Sequence, residues 1–184
     1  RACGNYQRKE AHMHWIDILF PGVWVHELSH AFACWIGGVP IHQIEVSGHS
    51  GKVVHAWSSS RNAWLIGFAP LMIGAIVSFL LFAWAKDVIV FNPGAGVLGI
   101  WLGFSIGFHS IPSHQDMLNI PTSIGRQFHL LWSGERSLLM KLGKTVVYGL
   151  IWPLSLLMVG LAWILNESIL FRAVLGLGLF VVAG

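Results

Sequence analysis

Residues 20–38 read FPGVWVHELSHAFACWIGG and place a His-Glu-x-x-His motif inside an apolar segment. If this segment is a helix, His26 and His30 lie one turn apart on the same face, so both imidazoles can bind one zinc ion. Glu27 lies on a neighbouring part of the helix surface, where its carboxylate can reach a water molecule on the metal without ligating the metal itself. The motif therefore predicts a zinc site with a general base beside it.

The composition is that of an integral membrane protein. Hydrophobic residues make up 55% of the 184-residue chain and charged residues only 10%, whereas an average soluble domain is about 25% charged. Ionisable groups in such apolar helices are expected to face a bundle interior or a water-filled cavity. The net charge of +3 comes without a basic run of the kind that binds phosphates. We therefore expect the lipid bilayer as the surroundings and no nucleic acid as a partner.

The apolar segments predict an all-α polytopic membrane protein with about five transmembrane helices, since roughly 20 residues suffice for each span. A small β-hairpin follows the metal-binding helix, and residues 1–184 are predicted to form a single transmembrane domain. The predicted segments are a polar tail at 1–12, the metal-binding helix at 13–38 and further transmembrane helices at 62–84, 88–111, 145–165 and 168–184.

Two connecting segments differ in character from the spans. Residues 41–57 hold β-prone runs on both sides of a Ser-Gly-His-Ser-Gly turn and predict the β-hairpin. Its free edge is a candidate docking strand for an extended peptide, and a plain connecting hairpin is an equally good interpretation. Residues 117–144 space Arg and Lys among Phe, Leu and Trp, which predicts an amphipathic segment on the membrane surface.

A second polar cluster, HSIPSHQDMLNIP at residues 109–121, follows the third predicted span. A catalytic zinc ion takes three protein ligands and keeps its fourth position for water, and the first motif supplies only two. The missing ligand is therefore expected in this cluster, which contains His109, His114, Asp116 and Asn119.

Lysine and arginine predict the orientation in the membrane. If five helices alternate, the connections at residues 41–57 and 117–144 lie on one side and carry more of these residues than the other side. The positive-inside rule makes that side cytoplasmic. The first and third helices then both run inward, so the two polar clusters can meet toward the cytoplasmic side.

These residues resemble the site-2 protease family of intramembrane zinc metalloproteases, in a compact, poorly characterised branch. The resemblance covers about residues 20–120 and rests on VHELSHAFACWIGGVPI, on the hairpin that follows it and on the later polar Asp motif. It implies His26 and His30 as zinc ligands, Glu27 as the catalytic residue and Asp116 as the third ligand.

One part of the chain departs from the family pattern. The usual Leu-Asp-Gly around the third ligand is Gln-Asp-Met at residues 115–117. His114, or else His109, is therefore kept as an alternative ligand, because imidazole suits zinc equally well. Asn119 and His109 are the candidate substrate or oxyanion contacts.

The resemblance implies a zinc-dependent intramembrane endopeptidase in which Glu27 takes a proton from a metal-activated water and returns it to the leaving amine. The substrate would be a membrane-embedded protein helix that unwinds locally. We expect the protein in a prokaryotic cell membrane, with its active site toward the cytoplasmic side.

Two other functions are weighed against this one. The chain could be a non-catalytic scaffold or a subunit of a larger membrane assembly, and the intact His26, Glu27 and His30 argue against that. It could also bind haem between His30 and His109, which would leave Glu27 buried without a role.

Overall fold

The computed structural model describes residues 18–47, 50–134 and 137–183. The predicted tail at 1–12 and the first residues of the predicted metal-binding helix lie outside this part. The described residues are mostly helical and contain one two-stranded sheet. In chain order the elements are α1 (Phe20–Ile36), β1 (Ile41–Val46), β2 (Gly51–His55), α2 (Ser60–Val88), α3 (Pro93–His109), α4 (His114–Ser133), α5 (Leu138–Glu167) and α6 (Ile169–Val182).

Two described helices, α2 and α5, are long and apolar enough to cross a membrane. The helices α3 and α4 add a third candidate span if this pair, bent by about 40°, is taken as one. Five spans are not confirmed. The described part of α1 has 17 residues and α6 has 14, both short of the roughly 20 that a span needs.

The structure divides the surface segment predicted at residues 117–144. Its first part belongs to α4, and α5 already begins at Leu138 instead of residue 145. Within α4, Met117, Ile120 and Ile124 are buried against α2 and α5, whereas Phe128, Leu130 and Trp132 are exposed.

The predicted hairpin is confirmed. β1 and β2 pair antiparallel, from Ile41 with His55 to Val46 with Gly51, with an irregularity between Ile41 and Gln43. The turn is closed by the Ser47 N–H, which donates to the Ser50 carbonyl at 2.7 Å. The hairpin contacts α1, so it is anchored to the helix that carries the metal-binding motif.

Helix α1 is fixed at both ends by its neighbours. At its start, Ser105 of α3 accepts a hydrogen bond from the Gly22 N–H at 2.9 Å and donates to the Leu19 carbonyl at 2.7 Å. The first of these bonds satisfies a backbone N–H that the start of a helix leaves unpaired. At its other end, Asn62 of α2 donates to the Gly37 carbonyl at 2.9 Å. The position of the motif is therefore set by α2 and α3.

Candidate metal centre

Three side chains from two helices meet beside the hairpin. His26 and His30 of α1 and Asp116 of α4 each offer one ligand atom, and these atoms lie within 4.8 Å of one another. The two Nε2 atoms are 3.2 Å apart. Asp116 places Oδ1 3.2 Å from His30 Nε2 and Oδ2 3.4 Å from His26 Nε2. This group could hold a metal ion.

Backbone carbonyls orient both imidazole rings. His26 Nδ1 lies 2.7 Å from the His109 carbonyl oxygen, and His30 Nδ1 lies 2.8 Å from that of Ile66. Because a carbonyl oxygen only accepts, each Nδ1 carries the hydrogen and donates it, which makes Nε2 the ring atom that a metal ion would bind. A cation between the two Nε2 atoms, which are 3.2 Å apart, would be ligated by both rings. Metal-ligating histidines have this arrangement.

Both carbonyls are ones that helix geometry leaves without a partner. In α2 the Ile66 carbonyl would accept from the N–H of residue 70, but that residue is Pro70 and has no N–H. His109 is the last residue of α3, where carbonyls lack an intrahelical donor. Each histidine therefore satisfies an acceptor that would otherwise be unpaired.

Two of the separations between ligand atoms are close to those around a tetrahedral ion. Bonds of about 2.0–2.1 Å at tetrahedral angles place neighbouring ligand atoms about 3.3 Å apart. The two Nε2 atoms are 3.2 Å apart, and Asp116 Oδ1 is 3.2 Å from His30 Nε2. The 3.4 Å contact of His26 Nε2 is with the other carboxylate oxygen, Oδ2.

Asp116 is oriented by the cap that begins α4. The Ser113 hydroxyl and backbone N–H both donate to Asp116 Oδ2, at 2.6 and 2.8 Å, and the Asp116 N–H donates to the Ser113 hydroxyl at 3.2 Å. This reciprocal pair is a capping box. Because Oδ2 already accepts two hydrogen bonds, Oδ1 is the oxygen left for a metal beside His30.

A cavity of about 400 Å³ contains the ligand group together with Glu27. The carboxylate of Glu27 is not a member of the ligand group, and the residue is 8% exposed. Residues 51–58, which include all of β2, form one wall of the cavity. The arrangement can therefore hold a metal ion, a carboxylate base and a chain segment beside the hairpin.

The other predicted site residues lie in different places. Asn119 lines the cavity one turn after Asp116. His109 contributes its carbonyl oxygen to His26, while its ring Nδ1 lies 3.0 Å from the Ser105 carbonyl. His114 is the first residue of α4 and lies outside the ligand group. Among the described residues, the structure therefore brings Asp116 to the two histidines. It does not bring the alternative ligands, His114 and His109, to them.

The structure adds residues that the sequence analysis missed. Ser113 could have been found, because Ser followed three residues later by Asp is the spacing of a capping box. The Ile66 carbonyl could have been inferred from Pro70 only by placing both inside one helix. Comparison with family models, curated proteins and solved structures finds no match for this chain.

Proposed function

We propose that the chain is a zinc-dependent intramembrane endopeptidase of the site-2 protease kind. The observation that supports this most is that the motif residues of α1 occupy two different positions in the site. Two oriented imidazoles join Asp116 in the ligand group, while the carboxylate between them in sequence, Glu27, stays out of that group in the same cavity.

The residues that would hold the ion are His26, His30 and Asp116. When bound, zinc supplies a Lewis acid for a peptide carbonyl and a more acidic water. Glu27 accepts one proton from the attacking water and delivers it to the leaving amine, while the remaining hydroxyl bonds to the carbonyl carbon, so that the peptide bond breaks into a carboxylic acid and an amine. Asn119, which lines the cavity, is the candidate donor to the carbonyl oxygen.

Two histidines and one carboxylate also suit iron(II) in oxygenases. The hydrolytic proposal is preferred because hydrolysis requires a base, and Glu27 is buried beside the ligands where such a base is needed.

The proposed substrate is a membrane-embedded protein segment that has lost its helical hydrogen bonds. A helical peptide bond is shielded by those bonds, and backbone groups freed inside a membrane need new partners. In the described sheet β2 pairs with β1 alone and lines the cavity, so its second edge could pair with the unwound segment. The apolar helices support a membrane location. We also propose that the protein lies in a prokaryotic cell membrane, with its active site toward the cytoplasmic side.

The first test is the zinc content of protein purified in detergent without chelators, measured by elemental analysis. We expect near one zinc per chain in the wild type and in His129→Ala, whose exposed histidine lies on α4. His26→Ala and Asp116→Ala should lose the zinc. A wild-type protein without zinc would overturn the proposal.

The second test separates an enzyme from a scaffold. Glu27→Gln should keep the zinc and lose cleavage of single-span reporter peptides reconstituted in liposomes, because the amide cannot accept the proton. A wild-type protein that binds zinc and cleaves none of these reporters would favour the scaffold function.

A further inference from the structure

Gly51, the first residue of β2, lies directly against the side chain of Glu27. A methyl group in place of its hydrogen would lie 2.7 Å from both Cδ and Oε1 of Glu27 and would collide with Cγ. Contacts below 3.0 Å are essentially never made by real Cβ atoms. The clash includes Cγ as well as the carboxyl group, so rotating the carboxyl group alone would not relieve it.

The backbone conformation does not explain a glycine at this position. Among the described residues, Gly38 is the glycine with a positive φ, at 63°, so Gly51 has a conformation that alanine can adopt. Gly51 also pairs with Val46 as an ordinary residue of the ladder. The requirement for glycine here comes from the space that Glu27 occupies.

Neither partner of this contact can retreat freely. Glu27 is carried by α1, whose backbone also carries His26 and His30, and the rings of both are held by carbonyls of α2 and α3. Gly51 adjoins the turn that the Ser47 N–H and the Ser50 carbonyl close at 2.7 Å. A side chain at residue 51 would therefore turn the carboxylate of Glu27 or push β2 away from it.

We propose that Gly51 is a positioning residue for Glu27, because the absence of its side chain lets the β2 backbone form one wall against the carboxylate. The positioning role rests on the proposed function, whereas the contact itself does not. If a substrate strand pairs with β2, it would lie beside the carboxylate of Glu27, and the position of that carboxylate is itself set by β2. The hairpin would thus set the distance between peptide and base.

The test is a double-mutant cycle read by thermal unfolding of the detergent-purified protein. Gly51→Ala should lower the Tm by roughly 3–10 °C, the range expected for one overpacked methyl group. In a Glu27→Ala background, which lacks Cγ, Cδ and Oε1, the same substitution should shift the Tm by less than about 1 °C. Gly125→Ala, at a helical position with open space, is the matched control and should not lower the Tm.

Each outcome of the cycle decides the contact. Equal shifts in the two backgrounds would overturn the proposal, because the cost would then arise elsewhere. If Gly51→Ala does not fold, recovery of folding in the double variant supports the contact, and failure of both variants overturns it.

The functional part has its own measurement. Gly51→Ala should keep the zinc, since it touches no ligand, and should lower kcat on the reporter peptides by on the order of 100-fold, with KM changed much less. An unchanged kcat would overturn the positioning role. If the wild type itself cleaves nothing, the proposed function fails and the positioning role fails with it, while the thermal cycle still decides the contact.

Discussion

The two helices that carry the candidate ligands orient them in opposite ways. On α1, His26 and His30 depend on carbonyl oxygens 83 and 36 residues away along the chain. On α4, Asp116 depends on Ser113, three residues before it. Defects in helix packing should therefore act on the histidines, and defects in a single turn should act on the aspartate.

The largest expected effect comes from separating α1 from α3. Gly22→Ala would place a methyl group into the carbonyl oxygen of Ser105 and 2.6 Å from His109 Nδ1. We expect a loss of stability of about 1–3 kcal/mol together with loss of zinc, because His26 loses its acceptor on α3. Thermal unfolding and elemental analysis measure the two effects.

Gly178→Ala is the control for this variant, since residue 178 is a helical glycine with open space around it. Full zinc content in Gly22→Ala would show that His26 binds the ion without its carbonyl partner. The contrast between the two helices would then be wrong.

A smaller effect is expected on α4. Ser113→Ala removes the hydroxyl that donates to Asp116 Oδ2 at 2.6 Å but keeps the backbone N–H that donates at 2.8 Å. The zinc affinity should fall by about 10–100-fold, as is usual when a ligand loses its outer partner. Competition with a zinc chelator measures this, and Ser113→Thr, which keeps a hydroxyl, should restore most of the affinity.

The smallest effect on zinc binding is expected for a change in α2, which separates the orientation of a ligand from the stability of the fold. Pro70→Ala supplies the N–H that the Ile66 carbonyl lacks, so this carbonyl gains a second donor beside His30 Nδ1. The helix gains one backbone hydrogen bond, which is offset in stability by the loss of the buried proline ring, while the zinc affinity should fall by roughly tenfold or less. A variant in which the Tm and the zinc affinity rise together would contradict this account of His30.

The sequence predicted two of the three residues that meet at the site, and the third was left open between Asp116, His114 and His109 until the resemblance named one. The spacing of His26 and His30 depends only on helix geometry, and the resemblance named Asp116, which lies beside them in the structure. The hairpin was also predictable, because a turn-rich sequence separates its two β-prone runs.

The sequence was a poorer guide to the number of spans and to the orienting groups. Hydropathy does not distinguish lipid contact from helix contact, so it could not show that Met117 and Ile120 at the start of α4 are buried between helices. Pro70 marks the Ile66 carbonyl as lacking its helical donor, but the sequence does not show that His30 reaches it. The contact of Gly51 with Glu27 depends on how the hairpin folds back onto α1, and only tertiary structure reveals it.

The distance along the chain between the histidines and their partners has a consequence for synthesis. His26 leaves the ribosome 83 residues before the carbonyl that orients it, and the third candidate ligand follows only at Asp116. During most of translation, the emerging chain would carry two imidazoles without the rest of the site. Binding of a metal ion by the complete ligand set would thus be a late event, because it requires the first turn of α4 to have been made.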